Sequence, residues 1–268
     1  MVNLHAERAL WCAALVALAP GAAADGDAVE LRAVSYNIAA LSGGLPGVVE
    51  TLRRLQPDVV ALQEVDAGTA RSGGVDQARA LGRALGMEAQ FVSAMPHDGG
   101  QYGLALLARG TLTPLRTVRL PRLHAEEPRI AQIASLRVGG LEWAVVNTHL
   151  AADWHAREPA RVRALQARAL QQALLDVGRA DTPLLLLGDL NATPAEPPVA
   201  ILAESLTLLG PPVATYPARA PTRALDHALL RPGTGLTRVR AEVRAEPSAA
   251  SDHLPLVVDL VLRRVSAR

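Results

Sequence analysis

Lysine is absent from this chain, and all 27 of its basic residues are arginine. Basic and acidic residues nearly cancel, leaving a formal net charge of +1. This balance argues against a protein that holds nucleic acid through charge spread over a wide surface, although a local basic groove is still compatible. Because alanine and leucine are also abundant, we draw no function from the arginine excess.

Cysteine and aromatic residues are scarce as well. The single cysteine, Cys12, lies within the first 24 residues, and only three Trp, three Tyr and one Phe occur among 268 residues. Once the first 24 residues are removed, disulfides, thiol catalysis and cysteine-ligated zinc are excluded. Few aromatic side chains also disfavour nucleic-acid binding by base stacking. Since 50% of the residues are hydrophobic, the chain can instead build a sizeable core.

The N-terminus has the order of a secretory signal peptide. A short polar start containing Arg8 precedes an apolar run at 9–19, a Pro-Gly break and three alanines that end at Ala24. The run is too short to span a bilayer. We therefore expect removal of residues 1–24 and a single domain over 25–268, secreted or periplasmic after bacterial export. An uncleaved anchor and an ordinary apolar helix remain open alternatives, because the segment carries little positive charge.

Short apolar runs alternate with amphipathic stretches along the rest of the chain. The patterns predict strands at 31–38, 59–63, 89–92, 104–107, 115–120, 130–138, 143–148, 184–187, 224–230, 237–243 and 256–262, and helices at 46–55, 75–85 and 158–177. Many strands with few helices between them indicate an α+β fold, in which two sheets pack face to face with helices outside.

Polar residues stand at the ends of several predicted strands. Asn37 is either a structural hydrogen-bonding residue or part of a polar site, because a buried amide must be paired. Glu64 needs a cation if it is buried and is otherwise an exposed strand end. His149 is a catalytic candidate, but a lone His at a strand end is more often a capping or surface residue.

The run LLLLGDLNATP places Asp189 and Asn191 two residues apart at the end of a buried strand. If the chain stays extended, both side chains point to one face. Asp226-His227 and Asp252-His253 flank two further apolar runs. Because so many ionisable groups at strand ends are improbable by chance, we expect them to form one site.

The chemistry of this set favours metal-assisted phosphoester hydrolysis. Oxygen ligands from Glu64 and Asp252, with Asn37 in support, suit Mg²⁺ or Mn²⁺. Imidazoles paired with carboxylates can stabilise a phosphoryl group and protonate a leaving oxygen, and an Asp beside an Asn can activate water. A zinc peptidase would need the H-E-x-x-H motif, which is absent.

These residues resemble those of the endonuclease/exonuclease/phosphatase superfamily, which includes deoxyribonuclease I, AP endonucleases, bacterial sphingomyelinases and inositol-polyphosphate 5-phosphatases. The matching segments, in the family's order from Ser35 to Leu260, are SYNI, LQEVD, QYGLALLAR, EPRIAQIASLRV, VVNTHL, LLGDLNATP, LDHALL and SDHLPLVVDL. The resemblance implies a four-layer α/β/β/α sandwich of two mostly antiparallel sheets flanked by helices. It also implies that Glu64 is the main metal ligand, with Asn37 beside it and Asp252 completing a one-metal or two-metal site.

The resemblance further implies roles for five catalytic residues. Asp189 would position and activate the attacking water while Asn191 holds the phosphate. His253, oriented by Asp226, would bind a nonbridging oxygen and stabilise the transition state. His149 would contact the phosphate or help protonate the leaving oxygen.

The branch of the family is less defined. THL before the long helix is typical of deoxyribonuclease I, sphingomyelinases and 5-phosphatases, whereas AP endonucleases lack this histidine. The aromatic-Arg pair of 5-phosphatases is missing after GDLN. The segment DAGTARSGGVDQARALGRALGM resembles small bacterial hydrolases related to the C-terminal domain of proteins proposed to remodel GPI-anchor lipids.

Four further residues are candidates for substrate binding. Arg71 opens a Gly-rich loop before a helix, which is either an anion site or an ordinary turn. Tyr102 and Arg129 could line the site, although Arg129 could equally be an exposed strand residue. Trp154 could touch substrate or a membrane surface, or anchor the start of a helix against the sheet.

Three functions follow as hypotheses. The first is a monomeric, exported Mg²⁺-dependent phosphodiesterase acting on a phospholipid headgroup, an inositol phosphate or another small phosphoester. The second is a secreted nuclease acting on DNA or RNA. The third is a catalytically inactive binding module, which the complete set of polar residues disfavours.

Overall fold

The computed structural model describes residues 28–124 and 126–265, apart from the side chain of His155. The predicted signal peptide therefore lies outside the described residues. The strands are β1 (Ala28–Asn37), β2 (Val59–Ala67), β3 (Glu88–His97), β4 (Gly100–Ala108), β5 (Leu112–Arg119), β6 (Ile130–Val138), β7 (Leu141–His149), β8 (Leu184–Asp189), β9 (Thr207–Leu208), β10 (Asp226–Arg231), β11 (Leu236–Ala245) and β12 (Leu256–Arg264). The α-helices are α1 (Leu45–Leu55), α2 (Gln77–Leu85), α3 (Pro159–Ala173) and α4 (Pro197–Ala203). No described helix has the length and apolar character needed to cross a bilayer.

Two six-stranded sheets form the centre of the molecule, in the orders β11-β12-β1-β2-β4-β3 and β5-β6-β7-β8-β10-β9. The apolar core between them includes Trp143, Leu185 and Leu187. A second core lies between one sheet and α3 and α4, and it contains Leu184 and Leu186. A third core joins α1 and α2 to the other sheet. These three cores separate four layers, and the leucine run of β8 is apolar throughout because both of its faces are buried.

One parallel pair of strands lies inside each otherwise antiparallel sheet. β1 pairs with β2 and β7 pairs with β8 in parallel. The carboxyl ends of these four strands therefore meet at one edge of the sandwich. β10 begins at that edge, because Asp226 pairs with Asp189. β12 also begins there, because Leu256 pairs with Ser35.

The fold class and the predicted strands are confirmed, with differences at the boundaries. The third helix ends at Ala173 rather than at 177, and the chain continues through turns. α4 was not predicted, since two prolines at 197 and 198 resemble a break. Proline fits the first turn of a helix because its missing N–H is not needed there.

A cluster of ion pairs joins β1, β11 and β12 on the helix-facing side of the first sheet. Asp259 accepts from Arg32 Nε at 2.5 Å and from Arg244 Nη1 at 2.5 Å. Burial favours the protonated acid, but the two guanidinium groups outweigh it and lower the pKa of Asp259. The Asp259 carboxylate and its two arginines thus stabilise the fold at pH values above the pKa that Asp259 has in the unfolded chain. This stability is lost as the pH falls through the pKa of Asp259 in the folded protein.

We expect Asp259→Asn to lower the free energy of unfolding at pH 7 by about 1 kcal/mol, a figure kept small because both arginines are partly exposed to solvent. The difference from the wild type should shrink as the pH is lowered. Urea unfolding across a pH series measures this effect. Asp181→Asn, which removes an exposed ion pair with Arg179, is the control and should change little. A difference for Asp259→Asn that is independent of pH would contradict this interpretation.

Candidate active site at the strand ends

Glu64 reaches the edge of the sandwich through a β-bulge. The register between β2 and β4 shifts between Leu62 and Val65, and Glu64 has a left-handed φ of 56°. Such a conformation is costly for a residue with a side chain and is stable only where its surroundings enforce it. Because of the bulge, the half-buried Glu64 carboxylate no longer follows the alternation of side chains between the two faces of β2.

The bulge is held by Asn147, which lies on the opposite sheet. Its buried amide donates hydrogen bonds to the carbonyl oxygens of Leu62 and Ala105, both at 2.9 Å. Its side-chain oxygen accepts from Gln63 Nε2 at 2.8 Å. Asn147 therefore satisfies carbonyls of the two strands beside the register shift, directly behind Glu64. Asn147 was not predicted, although an amide inside the apolar run VVNTHL is the same signal that Asn37 gives in SYNI.

Asn37 joins the two sheets at the reactive edge. Its amide nitrogen donates to Glu64 Oε1 at 2.9 Å and to Asp189 Oδ2 at 3.2 Å, while its oxygen accepts from the Ala39 N–H at 3.0 Å. Asn37 is only 1% exposed. The amide thus holds two carboxylates close together, where each would otherwise repel the other.

Asp189 and Asn191 converge by a turn, because the chain does not stay extended beyond Asp189. The strand ends at Asp189, and Asn191 has a left-handed φ of 47°. Asp189 Oδ1 accepts from the Asn191 backbone N–H at 2.8 Å, which stabilises the turn. Both side chains nevertheless reach His149 Nε2, at 3.5 Å from Asp189 Oδ2 and 3.0 Å from Asn191 Nδ2.

His253 lies between two buried carboxylates. Its Nδ1 is 2.9 Å from Asp226 Oδ2, and its Nε2 is 3.6 Å from Asp189 Oδ2. The Thr215 hydroxyl also donates to Asp226 Oδ2 at 2.6 Å, and the Tyr216 ring packs against the imidazole. Thr215 and Tyr216 were not predicted, because nothing in their local sequence places them here. Asp226 thus fixes the orientation of the imidazole.

The pKa values of this group shift with its burial and charges. Burial disfavours a protonated His253, but the Asp226 and Asp189 carboxylates outweigh it and raise the pKa of the imidazole. Burial, together with Asp226, raises the pKa of Asp189, while His253, Asn191 and Asn37 oppose that shift. A cationic His253 near neutral pH can therefore stabilise negative charge that develops on a substrate.

His149 is bound on its other side by Arg129. Arg129 Nη1 lies 2.7 Å from His149 Nδ1, and both side chains are buried. The alternative that Arg129 is an exposed strand residue is wrong, because it is only 4% exposed.

Asp252 lies at the rim of the site with its side chain exposed. Its carboxylate accepts from the Ser251 hydroxyl at 3.3 Å, and the same hydroxyl donates to the Asn37 carbonyl at 2.7 Å. Its own carbonyl accepts from the Ala218 N–H at 2.7 Å. Asp252 is thus next to the end of β1 but is not hydrogen-bonded to the Asn37–Glu64–Asp189 group.

The other substrate-binding candidates have different environments. Arg71 makes two hydrogen bonds of 2.7 Å to the buried Asp66 carboxylate and lies over the Tyr102 ring. Asp76 caps the next helix with its own carboxylate, which accepts from the Arg79 N–H and favours the alternative of an ordinary turn. Tyr102 is buried, and burial raises its pKa. Trp154 is 65% exposed, as substrate or surface contact would require.

Two arrangements of ligands for a divalent cation are present. Asp189, Asp226 and His253 each offer an atom within 4.8 Å of the others. His253, however, already bonds Asp226 through Nδ1 and, when protonated, supplies the positive charge between these carboxylates. The Glu64 carboxylate, oriented by Asn37 at the edge of the sheets, offers the hard oxygen donors that Mg²⁺ and Mn²⁺ prefer.

Comparisons with known proteins agree with this architecture. The profile of the Endonuclease/Exonuclease/phosphatase family matches residues 34–253. Nocturnin of Drosophila melanogaster is 31% identical over 177 residues, which cover 61% of this chain and 26% of that protein. The chain thus spans about a quarter of the length of this curated relative.

Solved structures with the same fold include the following two. An endonuclease/exonuclease/phosphatase from Beutenbergia cavernae DSM 12333 has a TM-score of 0.68 at 20% identity, covering 89% of this chain and 72% of that one. The human Nocturnin catalytic domain with bound sulfate anion has a TM-score of 0.63 at 24% identity, covering 87% and 93%.

Loss of the Asn147 amide should weaken both the fold and the site. Asn147→Ala leaves the Leu62 and Ala105 carbonyls without their buried donor, so we expect a loss of about 1–3 kcal/mol in unfolding free energy. Hydrolytic activity should fall as well, because Glu64 loses the support of its bulge. Gln171→Ala is the control: it removes a half-buried amide that donates to the Ile201 carbonyl, between α3 and α4 and away from the bulge. Equal loss of activity in both variants at equal stability would show that Asn147 has no particular relation to Glu64.

Proposed function

We propose that this chain, which belongs to the endonuclease/exonuclease/phosphatase family, is an exported, divalent-metal-dependent phosphodiesterase that acts on a small phosphoester. The observation that carries the proposal is the meeting of Asn37, Glu64, His149, Asp189 and the Asp226–His253 pair at one edge of the sandwich. As the family's name states, its members cleave phosphoester bonds. Export rests on the signal-like residues 1–24.

Glu64 would hold the Mg²⁺ or Mn²⁺ ion, with Asn37 orienting its carboxylate and Asp252 available at the rim. When bound, the ion supplies positive charge that neutralises a phosphoryl group during attack. The arrangement of Asp189, Asp226 and His253 is better suited to proton and charge handling, because its imidazole already lies between the two carboxylates.

Side chains of the protein would activate the water, bind the phosphate and stabilise the transition state. Asp189, next to the Asn37 and Asn191 amides, orients a water and accepts its proton. Asn191 Nδ2 and His149 Nε2 lie 3.0 Å apart, so both could bind the same nonbridging phosphate oxygen. His253, cationic and held by Asp226, stabilises the charge that builds up in the transition state.

A small or headgroup-like substrate fits the surroundings of the site. An open cavity of about 570 Å³ adjoins Asp252, and its other lining residues are Ser42, Gly43, Pro217, Ala218, Arg219, Ala220, Ala249 and Ser251. The lining offers no aromatic platform for stacked bases, which favours a phospholipid headgroup or an inositol phosphate over a nucleic acid. The exposed Trp154 is suited to contact with a membrane surface. We also propose that the enzyme acts as a monomer.

The substrate is tested by hydrolysis assays on the chain from Asp25 onward. The panel is bis-p-nitrophenyl phosphate, sphingomyelin, phosphatidylinositol, inositol phosphates, plasmid DNA and RNA, each with Mg²⁺, Mn²⁺ or EDTA. We expect metal-dependent hydrolysis of a small or lipid phosphoester that is lost in Asp189→Ala. Preference for DNA or RNA would make the protein a nuclease, and a folded protein that cleaves nothing would favour an inactive binding module.

Metal dependence is tested separately through Glu64. Glu64→Gln keeps the shape and the Asn37 contact but removes the negative charge, so we expect the Mg²⁺ concentration for half-maximal activity to rise about ten-fold or more. Glu50→Gln, on the exposed side of α1, is the matched control and should titrate like the wild type. An unchanged Mg²⁺ titration for Glu64→Gln would remove Glu64 from the metal site.

A further inference from the structure

Arg129 is a buried cation next to His149 of the candidate site. It directly precedes β6, and its side chain is only 4% exposed. Nη1 lies 2.7 Å from His149 Nδ1 and 3.1 Å from Glu127 Oε1. An arginine placed to bind substrate would present its guanidinium at the open side of the site, whereas this one is directed at the back of the His149 ring.

The backbone fixes Arg129 in this place. The Arg129 carbonyl accepts from the Leu120 N–H at 2.9 Å. The neighbouring Ile130 carbonyl accepts from the Thr148 hydroxyl at 3.1 Å, and Thr148 directly precedes His149. Arg129 and His149 are therefore attached to the same point of contact between β6 and β7.

The direction of the hydrogen bond between the two side chains follows from the chemistry of arginine. A guanidinium has only donors and stays charged at all accessible pH values. His149 Nδ1 must therefore be the acceptor at 2.7 Å, and the ring proton is on Nε2. A proton on Nδ1 would point at the guanidinium of Arg129, 2.7 Å away.

The Nε2 proton faces the reactive edge. Nε2 lies 3.5 Å from Asp189 Oδ2 and 3.0 Å from Asn191 Nδ2. That Asn191 nitrogen is also 3.1 Å from the Leu150 carbonyl, so the amide cannot turn its oxygen to the imidazole without setting two oxygens against each other. Asn191 Nδ2 is itself a donor, so with Nε2 protonated the 3.0 Å contact joins two donors, and Asp189 Oδ2 is the acceptor within reach of the Nε2 proton. A nonbridging phosphate oxygen between these groups would accept from both Nε2 and Nδ2.

We propose that Arg129 is a positioning residue that fixes His149 as the Nε2–H tautomer, so that His149 donates a hydrogen bond to a substrate oxygen and does not transfer a proton to the leaving group. The tautomer rests on the contact between Arg129 and His149 Nδ1, whereas the substrate oxygen rests on the proposed function. Of the two roles that the resemblance implies for His149, this assignment keeps the phosphate contact, and it places Arg129 next to His149 and not against the substrate.

The tautomer is measured by ¹⁵N NMR of the histidine side chains in the chain from Asp25 onward, without metal or substrate. The His149 signals are assigned by their disappearance in His149→Gln. We expect one unprotonated acceptor nitrogen, Nδ1, and one protonated nitrogen, Nε2. In Arg129→Met the two His149 nitrogens should lose this separation as the tautomers mix, while Arg129→Lys, which restores a cationic donor, should recover part of it.

Arg163→Met is the matched control for loss of a buried arginine. Arg163 is 3% exposed and bonds the Ala151 carbonyl, Asp153 and Glu196. Its variant can lose stability, but the His149 nitrogens should keep the wild-type pattern. If Arg129→Met does not fold, the wild-type spectrum and Arg129→Lys decide the matter.

Kinetics on the preferred diester provide the second measurement. We expect kcat of Arg129→Met to fall about ten- to a hundred-fold, with a smaller change in KM and partial rescue in Arg129→Lys. A wild-type His149 protonated on Nδ1, or an Arg129→Met variant with an unchanged spectrum, would overturn the proposal. The spectrum needs no substrate, so it holds or fails independently of the proposed hydrolysis.

Discussion

The hydrogen bonds from the Asn37 amide to Glu64 and Asp189 are the interaction on which the site depends. Glu64 belongs to one sheet and Asp189 to the other, so this single amide joins the two halves of the sandwich at the reactive edge. Two carboxylates brought close together repel each other. A shared donor lets both approach while leaving oxygen atoms for a cation, which suits the hydrolysis we propose.

Three groups of the site are each supported by another buried polar side chain. Asn147 holds the bulge of Glu64, Asp226 holds His253, and Arg129 holds His149. A buried polar group costs free energy unless it is paired, so these pairs also limit the alternative arrangements of the site. Catalytic groups fixed in this way need little reorganisation when charge develops on the substrate.

The sequence was informative where the physical signal is local. Leu184–Leu187 predicted a buried strand, and polar residues at strand ends predicted that the site lies at one edge. The bulge at Glu64 and the turn at Asn191 were not predictable, because both depend on hydrogen bonds that local patterns do not carry. Asn147 is 85 residues from the Leu62 carbonyl that it satisfies. The contact of Arg129 with His149 was not predictable for a related reason: a lone arginine is usually exposed, and only His149 on the next strand explains its burial.

The most direct test of the account is the position of the metal in a crystal soaked with Mn²⁺, located by anomalous diffraction. We predict a Mn²⁺ peak coordinated by the Glu64 carboxylate, with His253 still hydrogen-bonded to Asp226. A peak enclosed by Asp189, Asp226 and His253, with Glu64 uncoordinated, would contradict the division of the site into a metal-binding side and a charge-handling side.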